Sequence, residues 1–499
     1  MNLKSLLRSI TTLKVDGELE REVTGICYDS RRVSPGKVFV AVKGGEVDGH
    51  DYICEAIDRG AAAIICERNG FSSHRAAKVV VADSRRAMAA LAAEFFGHPS
   101  RRLKVIGVTG TNGKTTTVFV LKHLLEAAGI RTGLISTVHY EAGDRVLPAT
   151  RTTPESVDIQ QLMSQMVRSG CEACVMEVSS HAVVMNRTDA VNFAVGAFTN
   201  LTQDHLDYHE TMENYFRAKQ EYFRQLEKDN PEAVAVANCD DAYGVRMLSE
   251  SRLSRRIGFG FGATADLRAV DAELTEDGFH YGLQADALNE SVRCGLLGRH
   301  NIYNSLAALA VIRALGGDVP AAAAALAKMP PVPGRLEAVD QGQQFNVIVD
   351  YAHTPDALEN VLATLREITP GRLLLSFGCG GNRDHGKRTQ MGEVAARLAD
   401  LTIITSDNPR REPPAAIAAQ IDAGYRAVRP DGTRTILDRH VAIREIIHQA
   451  RPGDTVLIAG KGHETYQELH DSVVPFDDRR HAAEVLLELD GDRKILKAA

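Results

Sequence analysis

The chain has 499 residues, too many for one ordinary hydrophobic core, so about two to four domains are expected. Charged residues make up 25% and the net charge is −7 with no basic run, which argues against nucleic acid as a partner. The eight cysteines are scattered: Cys171 and Cys174 have C-x-x-C spacing but no second pair to complete a zinc site, and free thiols suit a reducing cytosol.

In chain order, residues 1–10 put Leu3, Leu6, Leu7 and Ile10 on one helical face, but Lys4 and Arg8 break the apolar run, so it cannot serve as a signal-peptide core. No segment approaches the roughly 20 apolar residues of a bilayer span. The expectation is a soluble, cytoplasmic protein without membrane insertion. Strands at 38–42, 63–66 and 79–82 alternate with helices at 50–59 and 86–96, which predicts a smaller N-terminal α/β domain over residues 1–98. The segment His98-Pro99-Ser100-Arg101-Arg102 reads as a linker.

A central domain over 99–332 opens with the apolar run 103–108 and then Gly107-Val108-Thr109-Gly110-Thr111-Asn112-Gly113-Lys114-Thr115-Thr116-Thr117. This is a strand, a glycine-rich loop and a helix over 115–128. Such a loop wraps N–H groups around phosphates, aims a helix N-terminus at them and adds one lysine charge. It is not a literal Walker A motif, because that motif's first glycine would fall on Val108. The loop still implies a nucleoside triphosphate. Buried strands at 174–178, 193–199 and 233–237 follow, in a mostly parallel sheet of P-loop ATPase type. Helix 301–315 starts at Asn301.

Pro330-Pro331-Val332-Pro333-Gly334-Arg335 breaks any helix and marks the next boundary. Over 333–499, strands at 345–350, 373–377, 401–406 and 455–459 alternate with helices at 355–368, 389–399 and 414–427. That pattern predicts a Rossmann-like, doubly wound sheet with ligands beyond the strand C-terminal ends. The whole chain is thus expected to be α/β in three domains.

Carboxylates and a histidine at strand ends behind a phosphate loop suit magnesium–phosphate chemistry, because magnesium takes oxygen ligands and only one or two from protein. Candidates are Glu177 in Met176-Glu177-Val178-Ser179-Ser180-His181 and His205 in Asp204-His205-Leu206-Asp207-Tyr208-His209; singly, each also reads as a capping carboxylate or a core histidine.

The loop G-x-x-G-T-N-G-K-T-T resembles that of the Mur ligase family and the related folylpolyglutamate synthases, amide-forming enzymes that run on ATP. The order of the other motifs resembles the Mur ligases over nearly the whole chain. The resemblance implies an ATP site of Gly110, Thr111, Asn112, Gly113, Lys114, Thr115 and Thr116, with Asn301, Arg335, Asp350 and His353 at the nucleotide's other end. Asn301 reads equally well as a first-turn helix residue. It implies two magnesium ions held by Thr115, Glu177, His205 and Lys219, with Lys114, His205 and Lys219 catalytic. The lysine of Tyr215-Phe216-Arg217-Ala218-Lys219 is carbamylated by carbon dioxide in this family. An ordinary lysine amine has a pKa near 10.4, so keeping it neutral at pH 7 costs about 4.6 kcal/mol, which the metal-organised site is expected to supply.

The resemblance further implies UDP-N-acetylmuramoyl-L-alanyl-D-glutamate as one substrate, bound by Ser30, Thr152, Thr153, Ser179 and Arg187. Asp29-Ser30-Arg31-Arg32 by itself is only a polar turn. Met185 stands where the family has glutamine, so that hydrogen bond is lost or made by a neighbour such as Asn186. Asp407-Asn408-Pro409-Arg410 resembles the signature of the branch that adds meso-2,6-diaminopimelate in peptidoglycan precursor synthesis. A planar arginine fork suits that ligand's distal carboxylate. Arg383, Asp407, Asn408, Pro409, Arg410, Gly460 and Glu464 would form its pocket, with Glu464 meeting the distal ammonium. The rivals are a lysine-adding ligase, a folylpolyglutamate synthase and a P-loop switch or motor ATPase. Oligomeric state and protein partners are not legible.

Overall fold

The computed structural model describes residues 1–499 apart from 45, 46, 69, 72, 276, 287 and 499, and apart from the side chains of 490–498. The first sheet runs Lys14–Asp16, Ala77–Val80, Ala63–Cys66, Lys37–Val40, Gly25–Cys27; only Lys14–Asp16 is antiparallel to its neighbour. Ala63–Cys66 and Ala77–Val80 are buried along their whole length, the pattern of parallel strands covered on both faces. Helix Ser84–Phe95 starts where the Asp83 carboxylate accepts from the N–H groups of Arg85 and Arg86, and it packs Met88 and Leu91 onto that sheet.

The middle of the chain builds an eleven-stranded sheet with Lys104–Thr109 between Ala173–Glu177 and Phe193–Phe198. Its register sets Glu177 beside Val108 and Phe198 beside Thr109, so all three strands end at the phosphate loop. Helices Lys114–Ala127 and Arg299–Ala314 cover one face through Val118, Leu121, Ile302, Leu306 and Leu309. Helix Met212–Asp229 covers the other through Tyr215, Phe216, Tyr222 and Leu226.

The inner pairings run parallel, as expected, but antiparallel strands extend both edges. One extension is the hairpin His139–Ala142 and Arg145–Pro148; the other is the run Leu267–Thr275, Gly278–Ala285, Leu288–Cys294. The sequence pattern does not announce them. Leu267–Thr275 alternates buried and half-exposed residues over its first half and exposed and half-exposed ones over its second, and so lacks the continuous apolar run of the inner strands.

The last third forms a six-stranded sheet ordered Glu337–Ala338, Asn346–Asp350, Thr455–Ala459, Leu373–Phe377, Leu401–Ile404, Thr433–Thr435, parallel except for Glu337–Ala338. The C-terminal strand ends deliver Asp350, the 379–383 loop, Asp407 to Arg410, and Gly460 to one rim. A hairpin of Tyr466–Leu469 and Ser472–Pro475 lies over that rim, docked by the Arg410 N–H donating to the Glu468 carbonyl at 3.1 Å. Helix Asp478–Ala498 is anchored beneath it by a fully buried, two-bond ion pair, with Arg439 Nε and Nη2 each 2.7 Å from the Asp478 carboxylate.

Candidate functional site

Gly110 has φ +148° and Gly113 φ +83°, and a Cβ on either would run into Thr199 Oγ1 or Asn304 Oδ1 respectively, so the loop turns where only glycine fits. Strand-end groups brace it: the Thr111 N–H donates to Asn200 O and the Asn112 N–H to Asn200 Oδ1, both at 2.9 Å. No side chain caps the helix that follows. The first-turn N–H groups of Lys114, Thr115 and Thr116 have no intrahelical acceptor, which is what an anion site requires. Lys114 Nζ donates to the Gly110 and Thr111 carbonyls at 3.0 and 2.7 Å, and desolvation lowers its pKa.

Directly beneath, Glu177 is buried and accepts from Thr115 Oγ1 at 3.0 Å, and from the Thr137 N–H at 2.8 Å and hydroxyl at 3.1 Å. Thr137 was not anticipated; it comes from the turn after strand Thr132–Ile135, 40 residues away in sequence. Lys219, also buried, donates to the Gly110 carbonyl at 2.7 Å and sits 4.7 Å from the Tyr215 ring centroid. Burial first, then the Lys114 ammonium, pushes its amine well below the usual lysine range. The packing therefore supplies part of the neutralisation that the sequence reading assigned to the metal. His205 has φ +55°, and its ring lies 4.9 Å from that of His181; desolvation, with help from His181, Lys114 and Lys219, favours its neutral form. Among the described residues no three His, Cys, Asp or Glu side chains gather as a metal set.

On the side facing the first sheet, Thr153 Oγ1 donates to the Glu177 carbonyl at 2.8 Å and accepts from the Ser179 N–H at 3.1 Å. Thr152 accepts from the Thr137 hydroxyl at 3.1 Å. Arg187 is buried, donating to the Thr153 carbonyl at 3.1 Å and pairing with Glu155 at 2.9 Å. Glu155 also takes Arg85 from the N-terminal region at 3.3 Å. At Met185 the sulfur accepts from Arg187 Nη2 at 3.2 Å. Ser30 is not gathered with these residues by any hydrogen bond; its hydroxyl donates to Glu55 at 3.0 Å.

The last third of the chain reaches across to the loop from a bend and a helix start beside its sheet. Arg335 Nη2 donates to Thr115 Oγ1 at 2.9 Å, spanning 220 positions, and Asn112 Nδ2 donates to Asp356 at 2.6 Å. Asp350 is buried and spends its carboxylate on the N–H groups of Leu336 and Ala352, both at 2.7 Å, while burial raises its pKa. His353 Nδ1 lies 2.8 Å from the Tyr351 carbonyl, and burial lowers the imidazole to about 4. Asn301 is buried in its own first turn, donating to the Leu297 carbonyl at 2.7 Å and accepting from Asn304 at 2.7 Å. Its first-turn reading therefore has a geometric basis.

At the far rim, Asn408 donates to Glu464 at 2.9 Å and accepts from Lys461 Nζ at 2.9 Å and the Glu468 N–H at 3.0 Å. Lys461 Nζ also meets Glu464 at 2.9 Å, and burial raises the Glu464 carboxyl pKa. Gly460 has φ +116°, and a Cβ there would stand 2.5 Å from Asp407 Oδ2. Pro409 links buried Asn408 to Arg410, which has φ +50°. Arg410 Nη1 donates to the Gly381 carbonyl at 2.9 Å and Nε pairs with Glu468 at 2.5 Å. Arg383 is exposed, and its charge is felt at His181. Its loop is pinned by Glu412, which bonds the Asn382 N–H and takes buried Arg388 on both oxygens at 2.9 Å, holding the Glu412 carboxyl down to about 2. Lys461, Glu468, Arg388 and Glu412 were all missed. No local motif announces Glu468, Arg388 and Glu412, because each acts through a partner made neighbour by the fold; Lys461 sits three residues from Glu464, within one contiguous segment.

Three family models match in sequence: "Mur ligase family, catalytic domain" over residues 22–96, "Mur ligase middle domain" over 108–312, and "Mur ligase, glutamate ligase domain" over 334–462. The chain is 43% identical, over 97% of its length and 99% of the relative's, to the UDP-N-acetylmuramoyl-L-alanyl-D-glutamate--2,6-diaminopimelate ligase of Syntrophomonas wolfei. It is 46% identical to the protein of the same name from Geobacillus kaustophilus, over 98% of this chain and 100% of that one. A solved structure of a protein of that name superposes with TM-score 0.68 and 30% identity, covering 98% of this chain and 99% of that chain. The chain belongs to the Mur ligase family of ATP-dependent, amide-forming enzymes.

Proposed function

We propose that this protein joins meso-2,6-diaminopimelate to UDP-N-acetylmuramoyl-L-alanyl-D-glutamate, at the expense of ATP, in peptidoglycan precursor synthesis. The γ-phosphoryl group of ATP passes to the free glutamate carboxylate, releasing ADP. The diaminopimelate amine then attacks the acyl phosphate, the tetrahedral intermediate expels phosphate, and a proton leaves the nitrogen to give the amide. One observation carries the reading: Arg335, in the bend just before the sheet whose rim holds Asp407 to Arg410, donates to Thr115 of the phosphate loop at 2.9 Å, which supports a single site shared by nucleotide and acceptor. Both relatives named above carry the matching substrates in their names.

Within that site, Gly110 to Thr116 cradle the phosphates and Lys114 follows the transferring group, a task of positioning and charge neutralisation. Thr153, Ser179 and Arg187, with Thr152 and Ser30, hold the muramoyl dipeptide. The 3.0 Å Thr115–Glu177 oxygen pair fits magnesium, which completes its shell from phosphates and water. Thr115, Glu177, His205 and carbamylated Lys219 would hold two such ions, whose charge would stabilise the phosphoryl oxygens. The buried, neutral-leaning Lys219 amine suits reaction with carbon dioxide. Asn301, Arg335, Asp350 and His353 would hold the rest of the nucleotide. Arg383, Asp407 to Arg410, Gly460 and Glu464 would hold diaminopimelate. Domain boundaries near 98 and 332 fit this division of labour.

The test is ADP release from ATP and the muramoyl dipeptide with diaminopimelate, with lysine or with no amino acid. Release strictly dependent on diaminopimelate is expected. Equal release without an acceptor would make the protein a simple ATPase, and a preference for lysine would reassign the acceptor.

A further inference from the structure

Arg410, the residue assigned to the acceptor's distal carboxylate, already has a carboxylate partner within the chain. A guanidinium offers two flat edges for two-bond recognition, Nε with Nη2 and Nη1 with Nη2. Each edge has one nitrogen engaged: Nε pairs with Glu468 at 2.5 Å and Nη1 donates to the Gly381 carbonyl at 2.9 Å. The two partners differ in freedom. The Gly381 carbonyl belongs to a backbone whose own N–H is bonded to the Asn408 carbonyl at 2.9 Å. Glu468 is a half-exposed side chain on a flexible stem, and only its backbone is fixed: its N–H by Asn408 Oδ1 and its carbonyl by the Arg410 N–H. Its carboxylate can therefore swing aside while the hairpin stays docked.

We propose that Glu468 is a specificity-determining residue, an internal carboxylate that neutralises Arg410 until the distal carboxylate of the acceptor amino acid takes its place. The inference rests on the reading of Arg410 given above. It has a consequence for selectivity. Diaminopimelate must compete with Glu468, which weakens its binding. Lysine, with no distal carboxylate, leaves the Arg410–Glu468 pair standing and escapes burying an unpaired cation. Glu468 thus narrows the gap between the two acceptors.

The experiment compares KM and kcat for diaminopimelate and lysine in the full-length wild-type enzyme, Glu468→Gln, Glu468→Asp and Arg410→Ala. Glutamine keeps the shape and removes the competing charge. The expected result is a KM for diaminopimelate lowered roughly three- to tenfold in Glu468→Gln, the size of a half-exposed ion pair, with no gain for lysine. A KM for diaminopimelate unchanged or raised in Glu468→Gln overturns the proposal; restoration by Glu468→Asp would then show a carboxylate that merely props Arg410. Arg410→Ala separates this failure from that of the underlying reading. A loss confined to diaminopimelate keeps Arg410 as the carboxylate reader whatever Glu468 does, whereas an equal loss for both acceptors removes the premise itself.

Discussion

Around the phosphate loop, the two lysines lean on backbone: Lys114 donates to the carbonyls of Gly110 and Thr111, and Lys219 to that of Gly110. At the proposed acceptor rim, two cations meet carboxylates from their own chain, Lys461 on Glu464 and Arg410 on Glu468. Carbonyl contacts leave these ammonium groups free of a direct carboxylate pair among the described residues, as suits a polyanionic triphosphate. The rim is neutralised in advance, as suits a zwitterion whose ammonium and carboxylate replace contacts of the same kind. The first arrangement favours strong attraction. The second tempers attraction and narrows discrimination, because a ligand lacking one charge leaves a built-in pair in place instead of an unpaired charge.

The largest expected effect sharpens the first half of that contrast. Lys219→Ala should lower turnover by roughly 10²–10³-fold or more, since the variant loses the anchor for an anion beside the transferring phosphoryl group. High bicarbonate or a short carboxylic acid should partly restore it by supplying the missing anion. Full activity without any supplement would remove the carbamate from the account. Lys114→Ala should reduce kcat by roughly 10²-fold while muramoyl-dipeptide binding, followed by titration calorimetry, changes little. The proposed dipeptide contacts run through Thr153, Ser179 and Arg187, a network centred on Thr153. Equal damage to both quantities in a folded variant would mean that the two sites are not separable.

The second half of the contrast can be broken from below. Arg439 and Asp478 are fully buried, and Arg439 also donates to the carbonyls of Ser406 at 3.3 Å and Ala459 at 3.0 Å, tying the last helix to the two strand ends of the acceptor rim. Arg439→Ala leaves a buried carboxylate unpaired and should cost about 3–5 kcal/mol in urea unfolding of that region. ATP binding to the loop should survive. A loss below about 1 kcal/mol would mean that the pair is replaced by water or by a neighbour.

Legibility from sequence follows the same division. The phosphate loop is contiguous, so its glycines, lysine and flanking strand and helix can be read in order. The inner strands announce themselves as apolar runs. Thr137 on Glu177, Arg388 on Glu412 and Glu468 on Arg410 join residues 24 to 58 positions apart through loops whose docking no local pattern encodes. The antiparallel edges escaped for a different reason: half-wet strands such as Leu267–Thr275 mix polar and apolar residues and read as connections. The depressed basicity of Lys219 is likewise invisible without the burial and the neighbouring Lys114 ammonium that cause it.

The central claim is that phosphoryl transfer to the muramoyl dipeptide's carboxylate precedes amide formation, and it can be followed atom by atom. The dipeptide would be prepared with heavy oxygen in its glutamate carboxylates and turned over with unlabelled ATP, diaminopimelate and water. The account predicts one labelled oxygen in each inorganic phosphate released, in step with amide formed, because the oxygen that accepts the phosphoryl group departs with it. Phosphate free of label would mean that water takes the phosphoryl group, and would contradict the acyl-phosphate ligase mechanism.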